Sequence, residues 1–139
     1  MQQLAYGTRI TIDARHLSLD GQEVEDRAAE LAAAWPLGGG LRRHRIEDDG
    51  VTLAFLGSQG SLLLHAFPDE ARLTVVAFTV GAVSAAAFVG RVEELFELGV
   101  YDLRRSRYGH FFPREEALLE RVLLGERFLA KARAAATAS

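Results

Sequence analysis

The 139-residue sequence has no cysteine, a single methionine, a single tryptophan and three prolines. Without thiols it can build no disulfide framework, no thiolate zinc site and no cysteine nucleophile. It has no apolar run near the roughly 20 residues needed to cross a bilayer. Its first residues, Met1 to Tyr6, lack a basic region followed by an apolar one, so no secretory signal is expected and the expected compartment is the cytoplasm. Lysine is almost missing: Lys131 is the only one among 16 basic residues. There is no overall basic excess, since the net charge is -3, and nucleic-acid affinity is not expected on that ground. Asp48-Asp49 reads as a turn, and no stretch alternates acidic residues around a glycine as a calcium loop does. Gly38-Gly39-Gly40 follows a helical pattern rather than preceding one, which excludes a phosphate-binding loop. Gly57-Ser58-Gln59-Gly60-Ser61 has hydrolase-elbow residue types but falls between two strands.

What is present is the composition of an ordinary globular domain, 49% apolar and 25% charged. Residues 6–13 alternate, with Ile10 and Ile12 on one face, and predict a strand. Asp20-Gly21 opens a helix whose stripe is Val24, Ala28, Leu31, Ala32 and Trp35, ended by Pro36 and the glycines. A meander follows, with strands at 41–46, 51–56, 61–67 and 73–80 and a type I turn at Pro68-Asp69-Glu70. Ser84 can cap a second helix carrying Phe88, Val92, Leu95 and Phe96, with Gly99 as its C′ residue. Residues 100–105 predict a last strand. Pro113 opens a third helix with Glu115 and Glu116 in its first turn. The order β-α-β-β-β-β-α-β-α predicts an α+β fold: a two-layer sandwich of a mostly antiparallel sheet with helices on one face.

The charge is uneven. Residues 1–101 carry 8 basic and 14 acidic residues, and residues 102–139 carry 8 and 5. The chain therefore divides into a main domain, 1–105, and a basic linker with a C-terminal helix, 106–139. Arg104, Arg105 and Arg107 with Tyr101, Tyr108 and Phe111 form a basic, aromatic stretch. It reads either as a solvated edge strand or as an adaptor surface for a nucleic acid or protein. The last helix carries Leu118, Leu119, Val122, Leu123, Phe128 and Leu129, a packing or dimer stripe interrupted by Arg121, Glu126, Arg127 and Lys131. Among the histidines, His65 ends the run Leu62-Leu63-Leu64 just before a turn. It is either a pocket wall or a buried histidine satisfied by backbone groups. His16, His44 and His110 lie in basic or loop-like surroundings and read as solvated.

The segment Ser58-Gln59-Gly60-Ser61-Leu62-Leu63-Leu64-His65-Ala66-Phe67-Pro68-Asp69-Glu70, continued through Phe78-Thr79-Val80-Gly81, resembles the core motif of bacterial S-adenosylmethionine decarboxylases. That motif typically reads Ser-Glu-Ser-His-Leu-Thr-Ile-His-Ser-Phe-Pro-Glu, then a strand ending near Tyr-Thr-Cys-Gly. Gly7–Asp13 and Gly50-Val51-Thr52 are similar to two further blocks of the family. The resemblance spans residues 7 to about 100.

The resemblance implies the family's fold and a chemistry built on a pyruvoyl group. Decarboxylation leaves a carbanion, and a covalently held carbonyl acts as its electron sink. The family makes that carbonyl from a chain serine whose Oγ attacks the preceding peptide bond. Aligned without gaps, the pyruvoyl serine falls on Gly60, which has no Oγ. The processing histidine falls on His65 and the processing serine on Thr52. The proton-donating cysteine falls on Val80, and an early acidic residue on Asp13. The resemblance thus points to His65, Ser61 and Thr52 as the catalytic set and to Asp13 and Gly60 as ligand-binding positions. It implies a non-processing homologue with no cofactor, which binds a small cationic or S-adenosylmethionine-like ligand or a polyamine-pathway partner. The alternative is an active decarboxylase of polyamine biosynthesis, self-cleaved at Gly60-Ser61 with its pyruvoyl group from Ser61. The family's homodimers imply a homodimer here.

Overall fold

In a computed structural model of the chain, the described residues are 3–4, 7–80, 83–106, 111–112 and 115–137. Strand β1 (Gln3–Leu4) pairs with β8 (Phe111–Phe112) in a small two-stranded sheet. The main sheet has six strands: β2 (Thr8–Arg15), β3 (Arg42–Glu47), β4 (Val51–Leu56), β5 (Gly60–Phe67), β6 (Arg72–Thr79) and β7 (Val100–Ser106). They run in the order β3-β4-β5-β6-β2-β7, and every neighbouring pair is antiparallel. The helices are α1 (Gly21–Ala34), α2 (Ala85–Phe96) and α3 (Glu116–Thr137). The expected α+β class with an antiparallel sheet is the one the chain adopts.

Local chemistry sets the element ends. Asp20 caps α1 through a capping box: its Oδ1 accepts from the Glu23 amide at 2.8 Å, and Glu23 Oε1 accepts from the Asp20 amide at 3.1 Å. Ser84 caps α2 by accepting from the Ala87 amide at 3.1 Å. The end of α2 departs from expectation. Glu97, not Gly99, takes the left-handed conformation, at φ 54°, because Leu98 N–H already reaches back to Glu93 O. Pro68–Glu70 forms a turn of 3-10 helix rather than a type I turn, closed by Ala71 at φ 51°. Pro113, placed at the start of the third helix, lies outside the described residues, as do Arg107, Tyr108 and His110.

Two hydrophobic layers hold the molecule together, one on each face of the sheet. On the first face α1 and α2 pack over Ile10, Ile12, Leu53, Phe55, Leu62, Leu64, Val75 and Ala77. Trp35 and Phe88 meet there with ring centroids 4.5 Å apart, and Trp35 Nε1 donates to Phe78 O at 3.0 Å. On the second face Leu119 and Leu123 of α3 pack on Ala54, Leu56, Leu63 and Val76. Helices α1 and α2 therefore occupy the one face expected, and α3 covers the other. The reason lies in β4 and β5, whose every residue is buried: Val51–Leu56 and Gly60–Phe67 are continuous runs rather than alternating ones. Each such side chain removed from water contributes about 1.5–3 kcal/mol, so a second cover over this face is strongly favoured.

Candidate functional site

The register of the sheet places five polar side chains in one row beneath α3. Thr52 stands opposite His65, His65 opposite Thr74, Thr74 opposite Asp13, and Asp13 opposite Asp102. The row crosses β4, β5, β6, β2 and β7 at right angles to the strands. Thr52, His65 and Thr74 are buried.

Thr52 Oγ1 lies 3.0 Å from His65 Nδ1 and accepts a hydrogen bond from Arg127 Nη1 at 2.8 Å. The hydroxyl, with two lone pairs and one hydrogen, serves Arg127 and His65 Nδ1 together in either ring tautomer. His65 Nε2 is buried and has no partner among the described residues. Burial, followed by the positive charges of Arg127 and Arg133, pushes the His65 pKa down to about 3. The imidazole is therefore neutral at pH 7.

Three of the cations around the row, Arg127, Lys131 and Arg133, come from α3. Arg127 is only 5% exposed; it donates to Asp49 Oδ1 at 2.9 Å and stacks over Phe67 with its guanidinium 5.3 Å from the ring centre. Lys131 pairs with the other Asp49 oxygen. Arg133 Nε donates to Asp13 Oδ2 at 3.0 Å, and Arg104 of β7 approaches the same oxygen at 3.4 Å. Thr74 Oγ1 donates to Asp13 Oδ1 at 2.6 Å. A buried ion costs several kcal/mol in lost hydration, and here carboxylates, a hydroxyl and an aromatic face offset it.

The residues singled out from the sequence are only partly brought together. Thr52 and His65 are in contact, and Asp13 joins their row through Thr74. Ser61 faces the same side of β5 as His65 but four residues away, which is about 13 Å along a strand. Ser61 is buried, pairs with Leu56 and Phe78 in the regular ladder, and its Oγ has no partner among the described residues. Gly60 starts β5 where the backbone is closely invested. A Cβ there would stand 2.6 Å from Phe78 O and 2.7 Å from Pro36 O. Val80 is exposed at the end of β6. At position 60 a pyruvoyl group does not fit: the residue has neither the Oγ to form it nor room for the carbon that would carry it.

Arg104 and Arg105 alternate to opposite faces of β7, so they do not form one basic patch. The leucine stripe of α3 splits in two. Leu119 and Leu123 turn inward, while Leu118, Phe128 and Leu129 stay exposed, the last two at 70% and 53%. His44 is within 3.8 Å of Glu116, and His16 is an exposed residue at φ 62°. Thr74, Asp49, Arg127 and Arg133 were not foreseen as site residues. Arg127 carried a signal: it continues the inward stripe Leu119-Leu123-Arg127-Ala130-Ala134, and a charge on a buried stripe demands a partner.

Among the described residues no helix is long and apolar enough to cross a membrane. No family model matches the chain, and no curated protein matches it. Among solved structures, the adenosylmethionine decarboxylase from Aquifex aeolicus VF5 is similar, with a TM-score of 0.58 and 20% identity over 82% of this chain and 98% of that one. That protein is matched almost in full, so the remainder of this chain has practically no counterpart in it. The likeness places this chain's architecture among S-adenosylmethionine decarboxylase-like folds.

Proposed function

We propose that this chain is an S-adenosylmethionine decarboxylase-like protein that does not self-process and acts by binding, in the cytoplasm, a small ligand or a polyamine-pathway partner protein. The observation that carries this reading is Gly60: the position has no hydroxyl to begin an acyl shift, and its surroundings leave no space for a side chain. Val80 at the proton-donor position supports the same conclusion, because an alkyl group donates no proton.

The active alternative would use Ser61. One feature of the geometry speaks against it: a peptide held in a regular ladder on both sides resists the strained backbone that an acyl shift requires.

The small cationic ligand implied by the resemblance would meet competition from within. Asp13, Asp49 and Thr52 are the groups that would receive a cation, and Arg127, Lys131, Arg133 and Arg104 already hold them. Such a ligand binds by displacing these side chains, and therefore by loosening α3. The reading includes a homodimer formed through the exposed stripe Leu118, Phe128 and Leu129.

Incubation of the purified chain with S-adenosylmethionine tests the proposal. It requires that no CO₂ be released and that the chain remain in one piece. Turnover that is lost in Ser61→Ala would establish the alternative instead.

A further inference from the structure

A cleft of about 230 Å³ opens where the C-terminal half of α3 meets the sheet, lined by Arg15, Arg72, Arg104, Arg133, Asp13 and Asp102 among others. The four arginines come from four elements: β2, β6, β7 and α3. Arg15 and Arg72 stand directly opposite each other across the β2–β6 pair. Like charges in that relation are destabilising, so the arrangement has a cost that the fold alone does not require.

The two carboxylates do not cancel the four cations. Asp13 is engaged through both oxygens: Oδ1 accepts from Thr74 at 2.6 Å, and Oδ2 accepts from Arg133 at 3.0 Å and, at the long end of the range, from Arg104 at 3.4 Å. Among the described residues Asp102 pairs with Arg15, with both oxygens at 3.4 Å, the long end of the hydrogen-bond range. Arg15 Nε is buried with no hydrogen-bond partner among the described residues. Among the lining side chains the four guanidiniums outnumber the two carboxylates by two, in a chain whose net charge is -3. Guanidinium forks are matched to the paired oxygens of carboxylates and phosphates. The volume is below the roughly 300–1,000 Å³ of pockets for drug-sized molecules, which selects a compact ligand.

We propose that this cleft is a binding site for a small dianion, a phosphate group or a short dicarboxylate, gripped between Arg15 and Arg72 of the sheet and Arg133 of α3. The bound anion neutralises the opposed arginines and ties the end of α3 to the sheet. The proposal rests on the ligand-binding half of the proposed function and not on the absence of processing, which the mass of the chain tests separately.

Calorimetric titration of the full chain at low ionic strength, with inorganic phosphate and with malonate as probes and chloride as the comparison, tests it. One saturable site is expected for at least one dianion and none for chloride. Tighter binding of phosphate marks a phosphoryl ligand, and tighter binding of malonate a dicarboxylate. Arg72→Gln should weaken binding tenfold or more while leaving the unliganded protein at least as stable, since it removes a like-charge pair. Arg91→Gln, on the exposed side of α2, should bind as the parent does. Ligand should also slow amide exchange between Ala130 and Arg133. No saturable binding of either dianion, or equal binding by Arg72→Gln and the parent, would overturn the proposal.

Discussion

The Thr52 hydroxyl and the Arg127 guanidinium, 75 residues apart in sequence, meet at 2.8 Å beneath α3. This contact joins the pair that the sequence singled out, Thr52 and His65, to a helix that the sequence set apart. It makes the polar row an interior feature, closed by the chain's own cations.

The contact has an asymmetric energetic consequence. Thr52→Val removes the hydroxyl that serves both neighbours, leaving an Arg127 N–H and His65 Nδ1 buried and unpartnered. Such a loss costs about 1–3 kcal/mol. Arg127→Met fills a similar volume with an apolar chain and removes the buried charge itself, and the carboxylate it leaves, Asp49, is partly exposed and keeps Lys131, so no buried charge is stranded. Urea denaturation should therefore rank Arg127→Met above Thr52→Val in stability. The reverse order would mean that the guanidinium is the main stabilising element of the row.

His65 ties stability to pH. Its pKa in the folded protein is held near 3, below the ordinary 6.5, because burial and two neighbouring guanidiniums disfavour the charged ring. Above pH 6.5 the ring is neutral whether the chain is folded or not, and the group adds no pH dependence. As pH falls below 6.5 the unfolded chain takes up a proton that the folded one refuses. Stability then declines with a slope approaching about 1.4 kcal/mol per pH unit from this group. Imidazole nitrogen NMR should find His65 neutral from pH 7 down to pH 5. A titration midpoint near 6.5 would place the ring in contact with solvent.

Restoring the family's serine should not restore its chemistry. In Gly60→Ser the new Cβ meets two backbone carbonyl oxygens, of Phe78 and Pro36, which cannot move aside as a flexible side chain would. Overpacking of this kind costs about 1–3 kcal/mol. The variant should show a lowered thermal midpoint and an uncleaved chain. Efficient self-cleavage in Gly60→Ser would show that only the hydroxyl was missing.

The outward stripe of α3 carries the dimer expectation. Phe128→Glu with Leu129→Glu places charges on side chains that are 70% and 53% exposed, so the fold of one chain should be little affected. Sedimentation should then report a shift from dimer to monomer. A parent chain that is already monomeric at high concentration would remove the homodimer from the account.

Much of the fold was legible because strong local signals coincide with the elements. The continuous apolar runs of β4 and β5, bounded by Asp49-Gly50 and Gly57-Ser58, place both strands within one residue of expectation. Strand β2 was less legible. It runs on through Ala14 and Arg15, two residues past the alternating stretch, because Leu73 and Arg72 on one side and Tyr101 and Val100 on the other pair with them. Such pairing is set by neighbouring strands, not by the segment itself. The side on which α3 packs was not legible, since its leucines make two stripes and either could face inward. For the site, His65 and Thr52 were legible through the family motif. Thr74 becomes significant only through the register that stands it between His65 and Asp13. Arg127 and Arg133 depend on where a distant helix docks.

The most direct test of the central claim is the intact mass of freshly purified chain under denaturing conditions. The expected result is one unbroken polypeptide of 139 residues, 15.2 kDa, with Ser61 retained as serine. Two fragments divided between Gly60 and Ser61, the second blocked at its start by a pyruvoyl group, would contradict it.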